Sequence, residues 1–190
     1  MKSLLTEKDK MLAGEIYSPV DPQLLSERQF AKSLIWRISQ VNPADTKTLS
    51  LLTKELLPHA SKDIRVEWPF QCDYGYNIST GKRVFINYDC VLLDVAKISI
   101  GNYVFIGPGV HIYTATHPLD ALARRKQSFG KEVHIGDDCW IGGKAIICPG
   151  AVIGAGTVVA AGSVVTGQVP ANVLIAGNPA RIIRHLKTAP

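Results

Sequence analysis

Aliphatic residues recur at every sixth position along the second half of the chain. Between residues 135 and 170, each unit opens with a branched aliphatic residue, and a smaller residue follows four positions later. The aliphatic positions are Ile135, Ile141, Ile147, Ile153, Val159 and Val165, and the smaller ones are Cys139, Ala145, Ala151, Thr157, Ser163 and, as the largest, Val169. A fixed period shared by consecutive units predicts a repeat architecture in which each turn packs only against its neighbours.

The period of six also predicts the shape of the repeat. Side chains alternate along a strand, so the aliphatic residue and the smaller residue two positions before it point to the same side. Three units complete one turn of a triangular coil, in which residues eighteen positions apart stack at the strand spacing of about 4.8 Å. The sequence therefore predicts a parallel β-solenoid with both sets of residues in its core.

The period extends toward the N-terminus with interruptions. A slip of two residues precedes Ile100, and a second change of register is expected after Pro170. The spacing from Ile112 to Ile135 is not a multiple of six, so residues 118–132 are predicted to leave the coil as an extruded loop. A loop of this length in a regular solenoid is typical of a functional or a disordered segment.

The first sixty residues have helical spacing of their apolar positions. This spacing predicts helices over residues 7–17 and 23–40, and a third helix that ends before Pro58. Asp45 or Thr46 is suited to cap the third helix. We therefore expect two domains, a helical cap over residues 1–60 and a solenoid over residues 61–190.

Composition excludes several classes of protein. The chain has 190 residues, of which 46% are hydrophobic, and a net charge of +5. It has no dense basic run with interleaved aromatic residues, so we expect no nucleic-acid partner. The uncharged stretch of residues 145–180 keeps the six-residue period, which favours a buried solenoid over a membrane span. The N-terminus has no apolar leader segment and the four Cys have no paired spacing, so we expect a cytoplasmic protein with buried thiols.

Units of the form aliphatic-Gly-x-x-small-x resemble those of the hexapeptide acyltransferases. Further blocks between about residue 7 and residue 185 are similar to the maltose/galactoside O-acetyltransferase subgroup of that family. These blocks are residues 10–17, 72–78, 87–90, 93–95, 108–118, 140–143 and 177–183. The resemblance implies a mainly β fold, a left-handed parallel β-helix with a small helical N-terminal cap. It also implies the transfer of an acetyl group from acetyl-CoA to a hydroxyl of a sugar such as maltose or glucose.

The resemblance assigns the chemistry to two residues. His117, in the block Thr-Ala-Thr-His-Pro, corresponds to the general base of the family, and the backbone N–H of Gly143 corresponds to its oxyanion donor. A sugar hydroxyl must lose its proton as it attacks a thioester, and a neutral imidazole is suited to accept that proton near pH 7. A backbone N–H is a common donor to the oxyanion of a tetrahedral intermediate. The reaction is expected to proceed by direct attack, without a covalent enzyme intermediate.

Three polar residues correspond to acceptor-binding positions of the family, namely Asp73, Asn87 and Asp94. Carboxylate and amide groups suit sugar hydroxyls because they accept or exchange hydrogen bonds. One position departs from the galactoside enzymes, where Pro19 stands in place of an N-terminal acceptor-binding Asp. Asp21, two residues later, is the candidate to replace it, and the departure slightly favours a maltose or glucose acceptor over a galactoside.

The positions implied to bind acetyl-CoA are Gly143, Ala161, Thr166, Gly167, Arg181 and Arg184. The two arginines could contact phosphates, for which a guanidinium is well suited. The family often has Lys at the position of Gly167, so we expect weaker coenzyme binding through that contact. Family members are homotrimers with sites between neighbouring subunits, and the extruded loop is expected to reach the adjacent solenoid.

Two alternatives remain open at this point. The chain could be a hexapeptide acetyltransferase with a non-sugar acceptor, such as an antibiotic or an amino acid, or a non-catalytic trimeric scaffold. A metal-dependent enzyme is not expected, because His111 and His134 do not complete a convincing set of zinc ligands.

Overall fold

Three short helices pack on one end of a three-sided coil of parallel strands in the computed structural model, which describes residues 5–187. The helices are α1 (Glu7–Leu12), α2 (Pro22–Ser39) and α3 (Thr46–Leu56). Asp45, one of the two residues predicted as the cap of α3, accepts the N–H of Thr48 and caps this helix. The first helix is shorter than predicted because Gly14 adopts a left-handed conformation with a φ of 71° just beyond its end.

The strands form three faces, numbered in the order in which the chain visits them. The first face contains Arg65–Val66, Phe85–Ile86, Phe105–Ile106, Trp140–Ile141, Val158–Val159, Val173–Gly177 and, antiparallel at its edge, Ala180–His185. The second face contains Phe70–Cys72, Cys90–Leu93, His111–Tyr113, Ile146–Ile147 and Val164–Val165. The third face contains Ile78–Thr80, Ile98–Ile100, Val133–Ile135, Val152–Ile153 and Gln168–Val169.

The core of the coil consists of the residues that the period identified. The aliphatic positions and the small residues two places before them are at most 3% exposed, from Ile135 through Val165. Thr157 and Ser163 satisfy their hydroxyl groups through hydrogen bonds within the coil, with Pro170 O at 2.9 Å and Gly177 N at 3.2 Å respectively. The predicted inward alternation is therefore confirmed.

Departures from the six-residue period all fall at one edge of the prism, the edge between the second and third faces. We call it the second corner, and the edge between the first and second faces the first corner. Paired residues on the upper coils are eighteen apart, as for Ile147 and Val165, whereas Cys72 pairs with Leu92, twenty residues further on. The irregular segments are residues 73–77, 94–96, 115–130 and 166–167.

The upper register change lies earlier than predicted. Val169 pairs with Ile153 and therefore occupies an aliphatic position of the third face, four residues after Val165 instead of six. The chain is shortened at Thr166 and Gly167, and the φ of 74° at Gly167 permits this tight turn. The expectation of a slip after Pro170 is wrong for this reason. The slip before Ile100 lies where it was predicted, at residues 94–96.

The predicted extruded loop is the tip of a β-hairpin. Ala115–Thr116 pairs antiparallel with Phe129–Gly130, and a single 3₁₀ turn at Ala123–Arg125 lies between them. The hairpin is attached to the helical cap, since the backbones of Tyr17 and Ser128 exchange two hydrogen bonds of 3.0 and 3.1 Å. Within residues 5–187, no helix is both long and apolar enough to cross a membrane.

Candidate active site

His117 lies at the base of the hairpin, at the second corner, with an exposed side chain. Its Nδ1 lies 3.1 Å from the backbone carbonyl oxygen of Gln127. A carbonyl oxygen only accepts hydrogen bonds, so Nδ1 carries a hydrogen. In the neutral ring the lone pair is then on Nε2, which is the arrangement that a general base requires.

Asp73 is half-buried at the second corner, beside two cations of α2. Burial raises the pKa of its carboxyl group above the ordinary value, and the nearby Arg28 and Lys32 oppose this increase. Tyr17 is 3% exposed and close enough to Asp73 for the carboxylate to raise the pKa of its hydroxyl, although burial is the larger cause. Asp73 therefore lies among polar and charged side chains of the helical cap, on the same corner as His117.

Asp94 occupies a different kind of position from the one expected. Its side chain is 0% exposed, and its carboxylate accepts the backbone N–H groups of Asp73 at 3.0 Å, Tyr74 at 2.9 Å and Asn77 at 3.2 Å. A carboxylate surrounded in this way does not reach a ligand in solvent, and association with another chain would only bury it further. The direct acceptor contact predicted for Asp94 is therefore corrected to a contact with the protein backbone.

The carboxylate of Asp21 is also occupied by hydrogen bonds within the protein. Its carboxylate accepts the N–H groups of Gln23 and Leu24 at 3.0 and 3.2 Å and so caps α2. The carbonyl of Pro19 accepts a hydrogen bond from the guanidinium of Arg28. A replacement of the missing N-terminal Asp by Asp21 would therefore compete with helix capping.

Gly143 lies at the first corner, above Gly107. A Cβ atom at residue 107 would lie 2.6 Å from the backbone nitrogen of Gly143, so this close stacking requires glycine. The carbonyl of Gly143 accepts the N–H of Gly162 at 3.0 Å, whereas its own N–H has no hydrogen-bond partner within residues 5–187. A free, fixed N–H of this kind is suited to the oxyanion role predicted for it.

Asn87 lies on the same corner, at the side of an aromatic hollow of 400 Å³. The hollow is lined by Phe85, Phe105 and Trp140, and the last two are 56% and 57% exposed. The Oδ1 of Asn87 accepts the N–H of Tyr88 at 2.8 Å, and in the described chain no hydrogen bond engages its NH₂ group. An aromatic surface beside an unengaged amide is a combination suited to the apolar and polar faces of a sugar.

The predicted coenzyme-binding residues are divided between the two corners. Three of them lie at the first corner, next to strands of the first face: Gly143, Ala161 and Arg181. Two others form the shortened turn at the second corner, namely Thr166 and Gly167. Arg184 pairs with Leu174 on the outermost strand of the first face. All six residues except Gly143 are exposed.

The predicted catalytic residues and the predicted acceptor-binding residues are also divided between these two corners. His117 and Asp73 are at the second corner, and Gly143 and Asn87 are at the first. The second face separates them by about four residues of strand, roughly 13 Å. A single copy of the chain therefore does not bring the predicted base and the predicted oxyanion donor together.

Several residues that line this region were not identified from the sequence. They are Tyr17, Arg28 and Lys32 beside Asp73, Gln127 beside His117, and Phe85, Phe105 and Trp140 beside Asn87. Outward-facing aromatic residues at successive first-face positions are a signal that could have identified the last three. No group of three or more His, Cys, Asp or Glu side chains suited to bind a metal ion is present among residues 5–187.

Models of known protein families match both the helical cap and the solenoid. Residues 10–61 match the maltose acetyltransferase hexapeptide capping motif, and residues 132–167 match the bacterial transferase hexapeptide model of six repeats. Nodulation protein L of Rhizobium meliloti is 44% identical over 178 residues, which cover 93% of this chain and 97% of that protein.

Two solved structures are similar over nearly the whole chain. A maltose O-acetyltransferase from Clostridium difficile 630 superposes with a TM-score of 0.94 and 43% identity, covering 97% of this chain and 99% of that one. A galactoside acetyltransferase in complex with coenzyme A superposes with a TM-score of 0.92 and 29% identity, covering 97% and 92%. The predicted fold, a left-handed parallel β-helix with a helical N-terminal part, is confirmed by these similarities.

Proposed function

This chain belongs to the hexapeptide acetyltransferases that carry the maltose acetyltransferase capping motif, and we propose on that basis that it transfers the acetyl group of acetyl-CoA to a hydroxyl of a sugar such as maltose or glucose. Similar structures include a maltose O-acetyltransferase and a galactoside acetyltransferase bound to coenzyme A. Because acetyl-CoA is the proposed co-substrate, the proposed compartment is the cytoplasm.

The geometry of His117 is the observation that carries this proposal. With Nδ1–H donating to Gln127, the ring presents the basic Nε2, and the side chain is accessible to an acceptor. The acceptor oxygen would bond to the thioester carbonyl carbon as Nε2 takes the hydroxyl proton. Collapse of the tetrahedral intermediate would break the carbon–sulfur bond, and the same imidazolium would return the proton to the departing thiolate.

The free N–H of Gly143 is the proposed donor to the oxyanion of that intermediate. Since Gly143 and His117 lie on different corners, we infer that the complete site forms between two copies of the chain. A ring in which the first corner of each copy faces the second corner of the next would form three equivalent sites. The proposed assembly is therefore a homotrimer.

The same assembly would unite the split ligand sites. Asp73 of one copy and Asn87 of its neighbour would contact the acceptor, with the aromatic hollow beside Asn87 covering an apolar face of the sugar. Coenzyme A would lie between Gly143, Ala161 and Arg181 of one copy and the turn at Thr166 and Gly167 of the other. Arg184 adds a second cation for the phosphates.

Release of coenzyme A thiol from acetyl-CoA, measured with maltose and with glucose, tests this function. We expect His117→Ala to reduce kcat by at least about a hundredfold, because proton removal contributes that much in comparable reactions. His134→Ala, which changes a half-buried His on the third face, is the matched control and should retain activity. Activity of His117→Ala within tenfold of the unmodified protein would contradict the mechanism.

The alternatives predict different results in the same experiments. Thiol release with an aminoglycoside or amino acid but with no sugar would indicate a non-sugar acceptor. If calorimetry detected no binding of coenzyme A, the chain would be better described as a non-catalytic scaffold.

A further inference from the structure

We propose that Asp94 is a positioning residue for the acceptor site, which fixes the backbone of residues 73–77 and so sets the location of Asp73. This inference rests on the proposed function, because it concerns the acceptor of that reaction. It assigns to Asp94 an indirect role in place of the direct acceptor contact that its sequence position suggests.

The carboxylate of Asp94 is the main polar partner of this segment. Oδ1 accepts two consecutive N–H groups, those of Asp73 and Tyr74, and Oδ2 accepts the N–H of Asn77. The side chain of Asn77 adds a fourth hydrogen bond, in which Nδ2 donates to the backbone carbonyl of Asp94 at 2.7 Å. Four hydrogen bonds therefore join two successive turns of the coil where both depart from the six-residue period.

The segment held by Asp94 connects the coil to the helical cap. Tyr74 is 4% exposed and packs with Met11, Tyr17 and Leu24. The hydroxyl of Tyr76 donates to Glu27 of α2 at 2.6 Å. Displacement of residues 73–77 would therefore change the position of Asp73 relative to Arg28 and Lys32, which approach it from α2.

The tight path of the segment leaves few alternatives for it. Gly75 has a φ of 81°, and a Cβ atom there would lie 2.1 Å from the backbone oxygen of Leu56 in α3. The chain passes directly against the helical cap at this point. Without the carboxylate, three N–H groups would be left without acceptors in a buried corner, at a substantial cost for each group.

This role predicts a selective effect on the acceptor. In a thiol-release assay with acetyl-CoA and maltose varied separately, Asp94→Asn should raise the KM for maltose about tenfold, because its amide retains one accepting oxygen but presents an NH₂ to a donor. Asp94→Leu, which accepts no hydrogen bond, should raise it further. The KM for acetyl-CoA should change less than twofold in Asp94→Asn, because no coenzyme-binding position lies in this segment.

Thr157→Val is the matched control. Thr157 is also 0% exposed and also joins successive turns through a side-chain hydrogen bond, to Pro170 O at 2.9 Å, but it lies outside the acceptor region. It should lower the melting temperature and leave the KM for maltose unchanged. An unchanged KM for maltose in Asp94→Asn, or an equal rise in Thr157→Val, would overturn the proposal.

Two further measurements distinguish the positioning role of Asp94 from a general loss of folding and from the proposed activity. Asn77→Ala removes only the 2.7 Å bond to the Asp94 carbonyl and should raise the KM for maltose about threefold. Hydrogen exchange of the Asp73, Tyr74 and Asn77 amides, measured without any acceptor, should accelerate at least about tenfold in Asp94→Asn and not in Thr157→Val. Unchanged exchange would contradict the positioning role even if the protein acetylated no sugar, whereas an inactive unmodified protein would contradict the proposed function alone.

Discussion

His117 donates a hydrogen bond through Nδ1 to the backbone carbonyl of Gln127, ten residues further along the chain, at 3.1 Å. The bond crosses the base of a hairpin that interrupts an otherwise regular solenoid. The two backbone hydrogen bonds between Tyr17 and Ser128 hold the same hairpin against the helical cap. The cap, the hairpin and the coil therefore jointly fix the orientation of the imidazole.

Gly107→Ala should reduce kcat more than its effect on stability explains. The added Cβ would lie 2.6 Å from the nitrogen of Gly143 and would displace the proposed oxyanion donor. Loss of one such donor costs about a hundredfold or more in related reactions. Steady-state kinetics and a thermal melt of the same variant measure the two effects.

Gly136→Ala is the control for Gly107→Ala. Its Cβ would also lie 2.6 Å from a backbone nitrogen, that of Ala155, but at the edge between the third and first faces, where none of the predicted site residues lies. Both variants should lose stability to a similar extent, about 1–3 kcal/mol. Equal losses of kcat in the two variants would argue against a role of Gly143 in catalysis.

Coenzyme A should bind more tightly to Gly167→Lys than to Gly167→Ala. Both substitutions place a side chain at a φ of 74°, and both find no atom within 4 Å of the new Cβ, so the backbone strain is shared. Only lysine adds a cation near the proposed phosphate positions. Isothermal titration with coenzyme A measures the difference, and equal dissociation constants would reject the proposed phosphate contact.

The stability of the protein should depend on the ionisation of Asp94. Burial raises the pKa of this carboxyl group to about 7, more than the N–H groups of Tyr74 and Asn77 lower it. The folded state thus binds a proton that the unfolded state, with an ordinary pKa near 4, has released. The contribution of Asp94 to the unfolding free energy is therefore largest below about pH 4 and is lost as the pH rises to about 7.

Chemical denaturation at several pH values tests this dependence. The unfolding free energy of the unmodified protein relative to Asp94→Asn should fall between pH 4 and pH 8. Burial also raises the pKa of Asp73, and the charge of Asp73 contributes to the raised pKa of Asp94, so the comparison reports these two coupled carboxyl groups together. A constant difference across this range would indicate that Asp94 is not protonated on folding.

The regular parts of the fold could be predicted from the sequence because each repeat carries its own signal. An aliphatic residue such as Ile141 and a small residue such as Cys139 recur at the same two positions of successive units. A coil with a period of six places both positions in the core. The three helices were also recognisable, since their apolar spacing and caps are local. Only the end of α1 and the upper register change were misassigned, at Gly14 and Gly167, where a left-handed residue ends or shortens an element.

The roles of individual polar residues were less predictable because they depend on contacts between distant segments. Asp94 and Asp73 look equivalent as carboxylates in similar blocks, yet one is enclosed by backbone N–H groups and the other lies beside Arg28 and Lys32. Asp21 is an exception, because its position directly before Pro22 at the start of α2 is a local signal of helix capping. That His117 and Gly143 occupy different corners becomes evident only when the faces of the coil are assigned.

The central claim, that the active site combines the second corner of one copy with the first corner of the next, is tested most directly by mixing two inactive variants. His117→Ala damages only the second corner and Asn87→Ala only the first, so each homogeneous protein should have low kcat/KM for maltose. After the two are unfolded and refolded together in equal amounts, about a quarter of the sites should combine two intact corners. We predict that kcat/KM rises to about this fraction of the unmodified value; activity no greater than the average of the two separate variants would contradict the shared site.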